Sequence, residues 1–163
     1  MSERHAAIVT ISDSVHAGQR QDAGGDSVQA WLAAAGFSAA RRMVVADERG
    51  DITAILRQLC EEQTACIVTT GGTGIGPRDV TPEATLDVIN RALPGMAEAM
   101  RAQTRQHTPF AMISRQVVGV RQRTLIINLP GNPKAVKECL DVIQPVLFHV
   151  IDLIHGRTQH GSE

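Results

Sequence analysis

The residues best suited to chemistry lie in a glycine-rich stretch at positions 69–82. Four of the six residues at 71–76 are glycines, so little side-chain bulk separates the backbone from a ligand. The stretch follows the apolar, β-branched run Cys66–Thr70, which predicts a buried strand. It precedes Thr81-Pro82-Glu83, where a hydroxyl cap and a proline at the first helical position predict a helix start. A loop between a strand end and a helix start exposes N–H groups, and we expect it to bind an anion.

The glycine spacing matches neither of two common phosphate-binding motifs. Gly72 and Gly74 lack the third glycine of a dinucleotide-binding turn, and no Lys-Ser/Thr pair follows as in a P-loop. Pro77 prevents the loop from running straight into a helix. A long turn without a ligand is the alternative, but such a turn rarely needs a Thr, an Arg and an Asp beside its glycines. We expect positive φ angles at Gly72 and Gly74.

The elements that must hold this loop are predicted by hydrophobic patterns. Residues 6–11 predict a strand that ends at Ser12 and Asp13. Ala39–Val45 predicts a second strand with an exposed entry and a buried end. Helical segments separate these two strands from each other and from Cys66–Thr70. The resulting β-α-β-α-β run requires a parallel sheet with right-handed crossovers.

Both intervening helices have an apolar stripe that predicts packing of one face on the sheet. The first is expected to be capped by Asp26 or Ser27 and closed by Gly36. The second has the clearer stripe, which consists of Ile52, Ile55, Leu56, Leu59 and Cys60.

Two further helices are predicted after the glycine-rich stretch. Leu86, Ile89 and Leu93 mark the first of them, which Pro94 interrupts. Residues 96–106 predict the second, with a basic outer face. Residues 96–106 and 145–154 have more apolar surface than one sheet face needs, so we expect part of it to face a partner subunit, with both segments covering the sheet of a monomer as the alternative.

The last part of the chain repeats the logic of a strand, a Gly-Pro loop and a helix. Residues 117–120 and 125–127 predict two short strands, arranged as a hairpin or as neighbours. The final helix is expected to begin near Pro133 and to kink or restart at Pro145.

Composition predicts one domain over residues 1–163. The sequence is 43% hydrophobic but only 2% aromatic, so we expect a core of Ala, Val, Ile and Leu. The few aromatics argue against a protein that stacks nucleic-acid bases, and no nucleic-acid partner is expected. Between Arg91 and Lys137, eight basic residues accompany the single acid Glu98. This half is suited to anions, with a solvated basic face as the alternative.

The cysteines indicate a reducing compartment. Cys60, Cys66 and Cys139 form no C-x-x-C pair, and we expect reduced residues in a cytoplasmic protein. The sequence contains neither a signal peptide nor a spanning apolar run, so no membrane association is expected. The six histidines lack the spacing of a zinc site.

Several segments together resemble the MogA/MoaB family of molybdenum cofactor biosynthesis. They are Thr10-Ile11-Ser12-Asp13, Thr70-Gly71-Gly72-Thr73-Gly74, Asp79-Val80-Thr81-Pro82 and Leu129-Pro130-Gly131-Asn132-Pro133-Lys134. The resemblance covers nearly the whole chain. Three other segments look like the MogA branch in particular: Ser114-Arg115-Gln116-Val117, Ile127-Asn128-Leu129-Pro130-Gly131 and Lys137-Glu138-Cys139-Leu140.

The resemblance implies a three-layer α/β/α fold with a mostly parallel central sheet, in a protein that is usually a homotrimer. It implies molybdopterin adenylyltransferase activity, in which ATP and a divalent ion such as Mg²⁺ are used to attach AMP to the phosphate of molybdopterin. Pyrophosphate is released, and a molybdate-inserting enzyme is the implied recipient of the product. The alternative is a non-catalytic MoaB-like pterin-binding or scaffold protein.

The two aspartates essential to the family correspond to Asp47 and Asp79. Both follow predicted strands, where their carboxylates are suited to hold Mg²⁺ against a triphosphate. Each has a simpler alternative as a turn or cap residue ahead of a helix. The substrate contacts implied by the resemblance are Ser12, Asp13, Thr70, Gly71, Gly72, Thr73, Gly74, Ser114, Arg115, Asn128, Pro130, Gly131, Asn132 and Lys134.

Overall fold

The computed structural model describes residues 4–157 and arranges them as a six-stranded mixed sheet with helices on both faces. The strands are β1 (His5–Ile11), β2 (Ala39–Val45), β3 (Cys66–Thr70), β4 (Arg91–Ala92), β5 (Val118–Arg121) and β6 (Thr124–Leu129). The α-helices are α1 (Asp13–His16), α2 (Ala23–Ala35), α3 (Arg49–Glu61), α4 (Thr81–Leu86), α5 (Pro94–Thr104) and α6 (Pro133–Ile154), and Pro109–Ile113 forms a 3₁₀ helix. The predicted α/β class is confirmed.

The strand order is β2-β1-β3-β6-β5-β4. Strands β2, β1, β3 and β6 are parallel, whereas β5 runs antiparallel to both β6 and β4. The predicted hairpin is therefore confirmed as β5–β6. The chain moves outward from β1 to β2 and then returns to the other side of β1 to form β3. This reversal is a topological switch point, the usual place for a ligand in an open α/β sheet.

Two apolar clusters hold the helices against the sheet. In one, Leu32 of α2 and Leu140 of α6 pack on the face that carries Ile8. In the other, Leu56 of α3 packs on the face that carries Val9. Successive strand residues point to opposite faces, so the neighbours Ile8 and Val9 enter different clusters. The result is the expected three-layer α/β/α arrangement.

The region after β1 is more helical than predicted. Asp22 caps α2 by accepting a hydrogen bond from the Gly25 N–H at 2.9 Å, so the expected cap at Asp26 or Ser27 is wrong. The short helix α1 follows directly after β1, where no helix was predicted, and its cap is Ser12. A polar side chain before each turn satisfies a free N–H group and permits these early starts.

The segment between β3 and α5 also differs from its predicted form. Helix α4 ends at Leu86, whose side chain is 56% exposed, and Arg91–Ala92 pairs with β5 instead of continuing a helix. Thr81 is the first helical residue rather than the cap, which is Val80. The Thr81 hydroxyl instead donates to the Gly71 carbonyl at 3.0 Å. Strand pairing and loop anchoring thus override the local pattern.

Of the two alternatives expected at Pro145 the restart of α6 is wrong, and the expected burial of the end of β2 is corrected. Helix α6 passes through Pro145 without restarting, because this proline is exposed and water can bond the carbonyl that loses its N–H partner. The end of β2 is only half buried. Met43 and Val45 pack against the cluster that contains Val9, whereas Val44 is 36% exposed on this edge strand.

The three cysteines are free and buried, as predicted. Burial raises the pKa of Cys66 to about 12 and that of Cys139 to about 11, so both thiols are protonated at neutral pH. Within residues 4–157, no helix is both long enough and apolar enough to span a membrane.

Candidate active site

A cavity of about 750 Å³, the central cavity, lies at the switch point of the sheet. Its walls are the ends of β1 and β3, the loops after them, the start of α2 and the loop before α6. The structure brings together in this wall ten of the residues expected from sequence: Ser12, Asp47, Thr70, Gly71, Gly72, Thr73, Gly74, Asp79, Gly131 and Asn132.

Residues 71–76, which follow β3 and are here called the glycine loop, depend on the absence of side chains at three positions. Gly71 and Gly72 have φ angles of 100° and 66°, in the left-handed region that favours glycine. A Cβ atom on Gly71 would collide with the Ile11 carbonyl. The expected positive φ at Gly74 is wrong, but a Cβ atom there would lie 2.9 Å from Asp79 Oδ2. Gly74 is therefore required by the neighbouring carboxylate and not by its own backbone angle.

Asp47 is fixed by the loop that follows β1. Its Oδ2 accepts a hydrogen bond from the Asp13 N–H at 2.9 Å, and its own N–H donates to Asp13 Oδ1 at 3.0 Å. Burial, followed by the nearby charges of Asp13 and Asp79, raises the pKa of Asp47. Asp47 Oδ1 lies 3.1 Å from the point that a Gly72 Cβ atom would occupy. This carboxylate oxygen therefore faces the glycine loop.

Asp79 closes a turn and lines the cavity at the same time. Its Oδ2 accepts a hydrogen bond from the Gly76 N–H at 2.9 Å, and its N–H donates to the Gly76 carbonyl at 3.0 Å. The proposed turn role of Asp79 is thus real, and it leaves Oδ1 without a hydrogen bond among the described residues. A turn acid and a ligand-binding carboxylate are compatible here.

Arg78 pairs with acidic side chains beside the cavity, a role that was not predicted from the sequence. Its Nε donates to Asp13 Oδ2 at 3.0 Å, and its Nη2 lies 2.8 Å from Glu48 Oε1. Hydrogen bonds from Arg78 lower the pKa of Asp13, which stays ionised. Asp13 itself is absent from the cavity wall and contributes by holding Asp47 and Arg78. Only the position of Arg78 beside Asp79 hinted at this role.

A second group of polar residues in the wall was also missed. Asp22 Oδ2 accepts from the Thr10 hydroxyl at 2.7 Å and from Arg42 Nη2 at 2.8 Å. Although burial opposes it, these bonds lower the pKa of Asp22. The signal in the sequence was an Asp three residues before Gly25, the spacing of an N-cap.

A smaller side cavity of about 410 Å³ adjoins the central cavity. The two share Thr73, Gly74 and Asn132, so the glycine loop is their common wall. Ser114, Pro130 and Lys134, all expected substrate contacts, line this side cavity. Sequence reasoning missed its other walls, which include His107, Phe110, Ile113, Gln116 and Glu138.

Besides Asp13, two expected substrate contacts line neither cavity. Asn128 is fully buried, and its amide group donates to Thr69 and Thr85 and accepts from the Val117 N–H. All its polar atoms serve the fold. Arg115 lies behind the glycine loop, where its side chain bonds backbone carbonyls. Both residues therefore lie outside the walls of the two cavities.

Asp47 and Asp79 fit the divalent ion implied by the family resemblance. Each has one carboxylate oxygen free of hydrogen bonds among the described residues, and both line the central cavity. Within residues 4–157, no group of three or more His, Cys, Asp or Glu side chains could hold a metal ion. Mg²⁺ is commonly held by one or two carboxylates together with substrate phosphates and water. Such an ion would therefore depend on the bound phosphates.

The arrangement suits a phosphorylated ligand. Gly72, Thr73 and Gly74 line the cavity, and their N–H groups have no hydrogen-bond partner among the described residues. Unpaired N–H groups and a glycine backbone bind phosphate oxygens, and carboxylates recruit the ion that neutralises them. The fold and site thus define an α/β protein whose cavity at the switch point is suited to a phosphorylated ligand.

This chain belongs to the family described as the probable molybdopterin binding domain, whose profile matches residues 7–149. The resemblance to the MogA/MoaB family is thereby confirmed. A protein of Helicobacter pylori named molybdopterin adenylyltransferase is 39% identical, over 100% of this chain and 94% of its own length. The Haemophilus influenzae protein of the same name is 45% identical, over 84% of this chain and 71% of its own.

Solved structures agree in fold. The molybdopterin biosynthesis enzyme MoaB from Thermus thermophilus is 44% identical and superposes with a TM-score of 0.87, covering 93% of this chain and 96% of its own. Both MogA and MoaB proteins are thus similar to this chain in structure.

Proposed function

We propose that this protein is a molybdopterin adenylyltransferase, which transfers AMP from ATP to the phosphate of molybdopterin and releases pyrophosphate. One observation carries the proposal: Asp47 and Asp79 line one cavity with the glycine loop, and each has a carboxylate oxygen without a hydrogen bond among the described residues. Relatives at 39–45% identity with that name support the same reaction.

The chemistry requires positioning more than acid–base catalysis. An oxygen of the molybdopterin phosphate attacks the α-phosphorus of ATP, and the bond from that phosphorus to the oxygen bridging the β-phosphorus breaks. The attacking phosphate is already anionic at neutral pH, so no side chain has to remove a proton. The N–H groups of Gly72 and Gly74 bind phosphate oxygens and hold the reacting groups in line.

The charges of the cavity explain the roles of the two carboxylates. Asp22, Asp47 and Asp79 line it, whereas Arg20 is its one cationic side chain within residues 4–157. A triphosphate would be repelled by these carboxylates unless a cation neutralised them. A divalent ion, when bound, would supply this neutralisation, and Asp47 and Asp79 would hold it. Asp13 fixes Asp47, and the turn at Gly76 fixes Asp79.

The two adjoining cavities offer neighbouring binding sites for the pterin and the nucleotide. The pterin and the nucleotide are both large and planar at one end, and cavities of several hundred Å³ are the size of ordinary ligand sites. The shared wall at Thr73 and Gly74 is where their phosphates would meet. Apolar and aromatic surface in the side cavity, mainly from Phe110 and Ile113, suits a ring system.

Pyrophosphate release tests the proposal. Purified protein is incubated with ATP and Mg²⁺, with or without molybdopterin, and pyrophosphate is measured together with adenylylated pterin. We expect release only when all three are present. Release that does not depend on molybdopterin, or pterin binding without release, would leave the non-catalytic pterin-binding alternative instead.

We infer a homotrimer in the cytoplasm that passes adenylylated molybdopterin to a molybdate-inserting enzyme. The product is a reactive phosphoanhydride, and direct transfer would protect it from hydrolysis. A coupled assay checks this: product made in the presence of an inserting enzyme should resist an added phosphoanhydride hydrolase better than free product does.

A further inference from the structure

The glycine loop is braced by one residue that touches neither cavity. The Arg115 N–H donates to the Thr73 carbonyl at 2.9 Å, and its Nε donates to the Gly74 carbonyl at 2.7 Å. Its Nη2 donates to the Asp79 carbonyl at 2.8 Å. Arg115 therefore ties together the two ends of the protruding segment at residues 74–79.

The guanidinium group is itself held in place. Its Nη1 forms an ion pair with Glu83 Oε1 in the first turn of α4, and hydrogen bonds from Arg115 lower the pKa of Glu83. A planar guanidinium group can donate to two carbonyls and a carboxylate at once, which a lysine ammonium cannot reproduce in the same geometry. The brace thus links the glycine loop to the helix that follows it.

The remaining anchors leave the carboxylate of Asp79 dependent on this brace. The base of the loop is fixed by the Gly71 N–H, which donates to the Leu129 carbonyl, and by Thr81. The Thr81 hydroxyl donates to the Gly71 carbonyl, and the Thr81 N–H donates to the Gly72 carbonyl. The two bonds between Gly76 and Asp79 only close the turn on itself. Arg78 pairs with exposed acids through its side chain, and exposed pairs are weak restraints. The direct backbone tie of Asp79 to another segment is the bond from Arg115.

We propose that Arg115 is a positioning residue that sets the Asp79 carboxylate for catalysis and does not bind substrate. The proposal replaces the expected substrate contact at this position, and it depends on the proposed function for its kinetic part. Ser114 lines the side cavity, so the same short segment forms a wall of one cavity and braces the carboxylate of the other.

Hydrogen exchange on substrate-free protein tests the brace without any activity. The reporters are the N–H groups of Gly76 and Asp79, which are bonded only within the turn. In Arg115→Ala and Arg115→Lys we expect exchange of these two amides to rise by about tenfold or more, with core amides of β3 unchanged. Arg123→Ala, an equal change at an exposed turn, is the control. Unchanged exchange in both Arg115 variants would overturn the proposal.

A double-mutant cycle with Asp79→Asn tests the catalytic consequence. Arg115→Ala should lower kcat by about 10²-fold in the normal background, because small misplacements of a reacting group are costly, and leave the KM for molybdopterin near normal. In the Asp79→Asn background the same change should lower the single-turnover rate of AMP transfer by less than about threefold. Equal losses in both backgrounds, or a rise in the pterin KM alone, would contradict a positioning role. If no variant or normal protein transfers AMP, the proposed function fails while the exchange result still stands.

Discussion

Asp13 and Asp47 each accept a hydrogen bond from the other's backbone N–H group, at 3.0 and 2.9 Å. The two loops that follow β1 and β2 are joined by this reciprocal pair. It orients one oxygen of each carboxylate and leaves Asp47 Oδ1 facing the glycine loop. Two acids are thus held close together even though their charges repel, and Arg78 offsets part of that repulsion.

Asp47→Asn should separate stability from activity. The raised pKa of Asp47 means that the fold disfavours its ionised form. Its contribution to stability is complete below the ordinary value of 3.8 and is lost as the pH rises through the folded pKa. The neutral amide should therefore raise the melting temperature at neutral pH, relative to normal protein, but not in acid. AMP transfer should fall by orders of magnitude.

Melting curves at neutral pH and below pH 3.8 check the sign of this effect. A melting temperature that falls at neutral pH would show that the hydrogen bonds of Asp47 outweigh its charge. Asp51→Asn is the matched control, since Asp51 is an exposed acid in the first turn of α3.

Asp79→Asn should leave the fold and pterin binding largely intact while lowering AMP transfer by about 10²-fold or more. The amide keeps the volume and can still accept the bond from Gly76, but it loses the charge that attracts the divalent ion. A pterin-binding titration, thermal melting and the Mg²⁺ dependence of transfer separate these effects. Transfer at nearly the normal rate would remove Asp79 from the metal site.

Gly72→Val should abolish ligand binding. A Cβ atom at this position would collide with Thr81 Oγ1 and approach Asp47 Oδ1 to 3.1 Å, and its φ of 66° is strained for any other residue. The strain alone should lower the free energy of unfolding by about 1–2 kcal/mol. Denaturant titration and nucleotide binding measure both effects.

Gly50→Ala is the control for this substitution. Gly50 lies in the first turn of α3 with open space around the new Cβ atom, so alanine should stabilise the protein by about 0.5–1 kcal/mol without affecting binding. Normal nucleotide binding by Gly72→Val would show that the loop is not part of the ligand site.

Light scattering at micromolar concentration should give the mass of a trimer. The exposed apolar side chains expected on α6 are present, with Val146 at 44% and Leu153 at 48% exposure. Those expected on α5 are not, since its Met96 and Met100 are packed against the core. A monomeric mass would exclude the trimer without affecting the catalytic assignment, because the described cavity walls come from one chain.

Local patterns in the sequence were enough to predict the elements in which those patterns are regular. The stripe of α3, the buried run of β3 and the glycine loop all follow from local periodicity and residue type, and the carboxylates could be placed after strand ends for the same reason. The family resemblance singled out Asp47 and Asp79, because an acid at either position is equally typical of a turn or cap ahead of a helix. The local pattern failed where pairing decided the outcome, as at Arg91–Ala92, which joins β5 as a strand.

Which of these residues meet depends on the packing of the whole chain, because strands adjacent in the sheet are distant in the sequence. Crossover packing places the ends of β1 and β3 side by side and creates the central cavity. The same packing buries Asn128 against Thr69 and brings Arg115 to the Asp79 carbonyl, although both residues lie in segments that resemble functional motifs. Residue type limits what a side chain can bond, but its partners are fixed by how the layers pack.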